Sequence, residues 1–144
     1  MRVVEIKKYG SPEVLYIGSR PVPKPKNNEV LIKVKAAGIN RPDILQRQGE
    51  YPPPKGVSNI LGLEISGEVI EIGKKTKNIK IGDKVCALVS GGGYAEYCLA
   101  PYQQCLPIPK NVSFEEASTI PETFFTIWFN LFIRSRIEKN KKIL

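Results

Sequence analysis

A chain of 144 residues, 42 % hydrophobic and 25 % charged with twelve Gly and twelve Pro, is long enough for one domain with a buried core and is tilted toward turns rather than disorder. No run of about 18 apolar residues occurs, so no membrane-spanning helix is expected; the N-terminus MRVVEIKKYG carries no export signal, and the cytoplasm is the default compartment. The net charge of +8 comes from 22 Lys and Arg against 14 Asp and Glu, and the absence of histidine removes the commonest general base and the commonest zinc ligand together.

VVEIKK and VLYIGS read as short strands, after which PVPKPKNNE breaks the chain with alternating prolines and an Asn-Asn turn. EVLIKVKAAGIN alternates, with Val30, Ile32 and Val34 on one face and Lys33 and Lys35 on the other, which predicts a half-buried strand from about 29 to 39. RPDILQRQ predicts a short helix over 41–48, because Pro42 suits a first helical position and Asp43 favours the positive end of the dipole. Asn40 stands at the corner between them. Its side-chain oxygen can cap the helix, with Asp43 three residues on making a box-like arrangement, or it can hold something outside the chain.

YPPPKGVSN is a Pro-rich loop ending near Ile60, and ISGEVIEIG alternates again as a strand. The basic stretch KKTKNIKIGDK at 74–84 lies in turn-rich sequence without interleaved aromatics. That pattern fits a solvated lysine face rather than a nucleic-acid surface, and leaves single lysines open to a phosphate-bearing small ligand. IGDKVCALV and GGGYAEYCLAP read as strands, and QCLPIP as an edge piece whose prolines keep it from pairing on both sides. Cys86, Cys98 and Cys105 match no metal or redox spacing and are expected as buried or half-buried thiols. Up to about residue 110 the pattern is an all-β unit with one helix at a corner, a small barrel or sandwich.

From Ser113 the character changes. SFEEAS is a capping-box start with Ser113 and Glu116 three apart. After Pro121, ETFFTIWFNLFIRSR reads as a helix apolar nearly all round, which wants burial on more than one side. A second basic cluster, RSRIEKNKK, follows, and NKKIL looks like the opening of a strand. A helix that needs covering and a strand that does not finish suggest a domain lacking its remainder.

The segments GINRPDILQRQGEYPPP, ILGLEISGEVIEIG, KIGDKVCAL, GGYAEY and IPETFFTIWFNL, in this order, resemble the zinc-free NADPH:quinone oxidoreductase (zeta-crystallin-like) branch of the medium-chain dehydrogenase/reductase superfamily. The resemblance implies a mainly β, GroES-like, partly open barrel with short helices over 1–120. It also implies that 121–144 are the linking helix and the start of a Rossmann domain. The Gly-rich cofactor fingerprint would come after Leu144, so the chain alone is expected to bind NADPH weakly or not at all. In zinc-dependent relatives the corner carries a cysteine ligand and the later segment reads Gly-His-Glu. Asn40 and Gly62-Leu63-Glu64 stand there instead, so the resemblance implies no zinc.

By the same resemblance Asn40 and Tyr51 are the catalytic candidates, and Asn40, Asp43 and Thr126 the cofactor-binding ones. Each also has an ordinary reading: Asn40 as a helix cap, Tyr51 as a ring packed on Pro52–Pro54, Thr126 as a hydroxyl bonded to its own helix. Gln46 is a further candidate, and Glu64 is expected to bond nearby backbone or a base such as Arg41. The implied reaction passes hydride from NADPH to a quinone or an α,β-unsaturated carbonyl. The alternatives are a non-enzymatic remnant or binding module, an enoyl reductase of the same superfamily and, last, a nucleic-acid-binding barrel. The expected partners are a small-molecule quinone or enone, and a Rossmann half or a second copy against residues 121–133; neither nucleic acid nor membrane is expected.

Overall fold

The structure, a computed structural model, describes residues 1–143. Its strands are β1 (Arg2–Ile6), β2 (Leu15–Ser19), β3 (Glu29–Ala37), β4 (Glu64–Ile72), β5 (Lys84–Leu88), β6 (Tyr97–Pro101) and β7 (Cys105–Pro107). Apolar alternation in β3 sends Val30 and Ile32 into the core and Lys33 and Lys35 to solvent. There they meet Ile65 and Val69 of β4, Val85 and Ala87 of β5, and Cys98 and Ala100 of β6. The five strands form one antiparallel sheet in the order β6-β3-β4-β5-β7, and β1 pairs with β2 in a separate hairpin.

Register shifts between Leu31 and Ile32 and between Val34 and Ala36 coil the central pair. At Gly67 of β4 a Cβ would lie 2.2 Å from the Lys33 carbonyl oxygen, so only glycine lets the strands approach this closely. The hairpin joins the larger sheet through a bridge between Val3 and Ala95, with the Val4 N–H donating to the Tyr94 carbonyl at 2.8 Å. The two sheets curl around one core without closing, a partly open barrel. Strand β7, with Pro107, pairs only with β5, as its prolines require.

The glycine-rich strand begins later than its pattern suggests. Gly91 and Gly92 hold φ of 136° and 95°, conformations that break a strand. Residues 92–94 bond instead to the carbonyls of Ile60, Gly62 and Leu61, and pairing with β3 starts only at Tyr97.

Helix α1 (Arg41–Gln48) ends at Gly49, whose φ of 85° lets its N–H reach the Gln46 and Leu45 carbonyls. Helix α2 (Phe114–Ala117) opens with a full capping box, Glu116 N–H to Ser113 Oγ at 3.2 Å and Ser113 N–H to Glu116 Oε2 at 2.9 Å. Helix α3 (Pro121–Trp128) is shorter than the apolar run after Pro121. Residues Phe129–Arg134 continue it as a wider π-helical turn, in which the Ser135 N–H donates five residues back to Asn130 at 2.9 Å. The Asn130 side-chain amide occupies the Thr126 carbonyl at 2.8 Å, the acceptor that the regular ladder would assign to the Asn130 N–H.

No strand forms at 140–143, and Leu144 lies outside the described residues. Phe124, Ile127, Trp128, Phe129, Phe132 and Ile133 are all exposed, with the Trp128 and Phe132 rings 4.6 Å apart. Among the described residues no helix is long and apolar enough to cross a membrane. The three cysteines are free, and burial pushes the Cys98 and Cys105 thiols up to about 12, well away from thiolate chemistry.

Candidate functional site

The corner after β3 is built around two buried carboxylates. Gly38 passes so close to Glu64 that a Cβ there would lie 2.2 Å from Glu64 Oε1 and would displace that carboxylate. Two residues on, the Asn40 amide donates from Nδ2 to that same oxygen at 2.8 Å. Glu64 Oε2 accepts from the Glu122 N–H at 3.0 Å, at the head of α3, where unpaired N–H groups and the helix dipole favour an anion. Glu64 therefore ties the N-terminus of α1 to that of α3. Its partners are an amide and a backbone N–H rather than Arg41, which is exposed.

Asp43 is equally saturated. Its Oδ1 accepts from the Gly62 N–H at 2.9 Å, and its Oδ2 from the Asn40 N–H at 2.9 Å and the Tyr94 hydroxyl at 3.0 Å. Gly62 holds φ of 98°, and a Cβ there would strike the Tyr94 N at 2.6 Å, so this approach again needs glycine. The Asn40 side-chain oxygen faces the Asp43 N–H without a formed hydrogen bond; the reciprocal bond, Asn40 N–H to Asp43, carries the cap. Asp43 and Glu64 are 3 % and 2 % exposed, and neither has a cation beside it among the described residues. Burial, then the negative charge of Asp43, pushes the Tyr94 phenol far above its ordinary value, so it acts as a hydrogen-bond donor.

In front of this frame lies a cavity of about 210 Å³, walled by Pro42, Tyr51, Leu63, Ser90, Gln104 and Glu122 among others. Burial first, then the charges of Glu64 and Asp43, raises the Glu122 carboxyl above its ordinary range. A carboxyl facing a cleft with its pKa raised in this way is a candidate proton donor.

Of the sequence-predicted residues, Tyr51 lines the cleft and is 43 % exposed. Gln46 lines it too, with its amide fixed to the Asn59 carbonyl at 3.0 Å. Asn40 stands behind the wall two residues before Pro42, reaching the cleft through Glu64 and Glu122. Asp43 is enclosed in its own hydrogen bonds. Thr126 lies exposed on α3, outside the residues that wall the cavity. Glu122, Ser90, Gln104 and Tyr94 were missed by sequence reasoning. Only Glu122 carried a signal, an acid directly after Pro121 at the start of an apolar helix.

The side chains present do not suit a zinc ion, since Leu63 walls the cleft, Asn40 is bonded to Glu64, and no group of three metal-ligating side chains occurs among the described residues. Ile39 is 80 % exposed beside Asn40, Tyr51 is 43 % exposed, and Thr126 is exposed on α3.

Residues 26–110 match the alcohol dehydrogenase GroES-like domain. The chain is 33 % identical over 144 residues, all of its length, to the mouse synaptic vesicle membrane protein VAT-1 homolog-like, of which this is 34 %. It is 32 % identical over 146 residues to mouse quinone oxidoreductase, again across the whole chain and 44 % of that protein. The fold superposes on Escherichia coli quinone oxidoreductase complexed with NADPH with a TM-score of 0.79 at 33 % identity, covering 91 % of this chain and 40 % of that one. The chain thus spans 34–44 % of the length of these curated relatives. The family match and these likenesses agree: the chain belongs to the alcohol dehydrogenase GroES-like domain family of the medium-chain dehydrogenase/reductase superfamily.

Proposed function

We propose that this chain is the catalytic-face portion of a cytoplasmic, zinc-free, NADPH-dependent quinone oxidoreductase. In this reading residues 1–120 form the GroES-like catalytic domain, and 121–144 the linking helix and the start of a Rossmann domain. The observation that carries it is the cleft that Tyr51 and Glu122 both wall, with burial raising the Glu122 carboxyl above its ordinary value. When bound, NADPH supplies a hydride. Tyr51 and Thr126 are the residues that would meet the nicotinamide end, and Asn40 and Asp43 act behind them.

Two-electron reduction of a quinone or enone needs one hydride and one proton. Glu122 donates the proton to the acceptor oxygen, or to the carbon next to the carbonyl in an enone, and is recharged from solvent. Asn40 contributes by holding Glu64, which fixes the Glu122 backbone and keeps a negative charge near its carboxyl. Tyr51 orients the acceptor, because its phenol stands at the cleft mouth, free to hydrogen-bond a carbonyl. Leu63 and Leu88 keep the far wall apolar, so hydrogen bonds inside the cleft are worth more than in water.

In this reading the phosphate cradle for NADPH lies outside residues 1–144, and the chain alone is inactive. The test measures NADPH binding and 1,4-quinone reduction by the purified chain, alone and joined to the Rossmann half of the Escherichia coli enzyme. Activity only in the joined form supports the proposal. No activity there, with the barrel still folded, leaves a non-enzymatic module. In the active form Glu122→Gln is expected to lower kcat by about 10²-fold with KM little changed, whereas an unchanged kcat would remove Glu122 from the proton step.

A further inference from the structure

A second cavity lies beside the cleft rather than in it. A groove of about 470 Å³ runs between the end of β1, the C-terminus of α1 and the Pro-rich loop. Gln46, Tyr51 and Pro53 wall both spaces, so one set of side chains separates an inner pocket from an outer one. At about 210 Å³ the inner pocket is smaller than ordinary ligand sites of roughly 300–1,000 Å³, and the groove supplies the missing volume.

The groove is built, with a fixed floor. The Tyr9 ring lies on Gly49 so closely that a Cβ would come 2.8 Å from its ring carbons. The Gly10 N–H donates to the Arg47 carbonyl at 3.1 Å, and Arg47 Nε returns a bond to the Gly10 carbonyl at 3.0 Å, clamping that turn to the helix end. The groove's charges are Glu5, Lys7, Lys8 and Arg20. Glu5 is already neutralised, accepting from Arg20 Nε and, at 2.6 Å, from the Tyr16 hydroxyl. Lys7 and Lys8 are exposed, and among the described residues neither has a carboxylate in ion-pair range. A groove with two unmatched ammonium groups and the rings of Tyr9, Tyr16 and Tyr51 recognises a flat or chain-like group ending in an anion.

We propose that the groove is the outer half of the substrate site, and that the acceptor is a quinone or enone carrying an anionic tail. The reacting ring or double bond lies in the inner cleft, the tail passes Tyr51, and its carboxylate or phosphate meets Lys7 and Lys8. The inference rests on the cleft being the acceptor site, as argued under Proposed function, and adds the class of acceptor.

The test needs no cofactor. A 1,4-naphthoquinone bearing a carboxyalkyl chain at C3, its neutral methyl ester, and butyrate alone are titrated into the purified chain, with Trp128 fluorescence or heat as the readout. The acid is expected to bind about threefold to tenfold tighter than the ester at low salt, as two exposed charge contacts allow, and the difference should fade at high salt. In the double variant K7A/K8A the two should bind with the same affinity, the ester reporting that the ring pocket is intact. Equal affinities in the unmodified chain would overturn the anionic subsite while leaving the quinone reading in place. Butyrate binding as tightly as the acid would make the groove a separate anion site and overturn the joined one. Binding of neither quinone would overturn this inference together with the acceptor cleft.

Discussion

Asn40 separates two tasks that one residue can perform together. Its backbone N–H closes the cap on Asp43, and its side-chain amide holds Glu64. Asn40→Ala would leave Glu64 Oε1 buried without its donor. A loss of about 1–3 kcal/mol in urea denaturation is expected, and a loss below a few tenths would show that the bond carries no stability. Glu122 gives the pH signature. Its folded pKa lies above the ordinary value of 4.5, so the folded chain holds that proton after the unfolded chain has released it. Stability contributed by this group is therefore lost as pH rises through the interval just above 4.5. The Glu122→Gln chain should lack that decline, so unfolding curves of the two chains across pH 4 to 7 should diverge. Glu5, Glu96 and Glu116, lowered by their hydrogen bonds, act with the opposite sign and lose their contribution as pH falls below 4.5.

Among the elements, α1 is fixed to the barrel by a few short-range contacts from distant chain segments. Tyr94, just before β6, donates to Asp43 on α1, and Gly62, just before β4, donates to the same carboxylate. Tyr94→Phe removes one charged hydrogen bond while keeping the ring, with an expected cost of about 1.5–3 kcal/mol. Gly62→Ala forces a side chain into φ of 98° against the Tyr94 backbone, and should cost about 2 kcal/mol or more, measured by thermal unfolding. The span of α1 was legible in its own residues, since Pro42 and Asp43 each act within one turn. What surrounds it was not, because Gly62 and Tyr94 lie 19 and 51 residues from Asp43.

For the whole molecule, the dominant feature is the apolar face of α3 and the turn after it. Phe124 and Trp128 are each 58 % exposed, and Phe129 and Phe132 about half. Burying one such side chain is worth about 1.5–3 kcal/mol, so this face favours any cover it finds. The isolated chain should associate as concentration rises, by sedimentation velocity, and Phe124→Ser with Phe129→Ser should return it to monomer. A chain that stays monomeric and binds no hydrophobic dye would show that the face needs no partner.

By itself the sequence determined most of the strands and helices and the family resemblance, because alternation, capping and proline punctuation act over distances of a few residues. Strands at 29–37 and 64–72, the helix at 41–48 and the capping box at Ser113 all follow from such local rules. It did not determine where Glu64 bonds, which acid faces the cleft, or where the glycine-rich strand begins. Those depend on pairs 24, 58 or some 30 residues apart: Asn40 with Glu64, Glu64 with Glu122, and Gly92 with Ile60. Only the folded barrel brings such pairs within hydrogen-bond reach, and burial there raises the Glu122 carboxyl above its ordinary value.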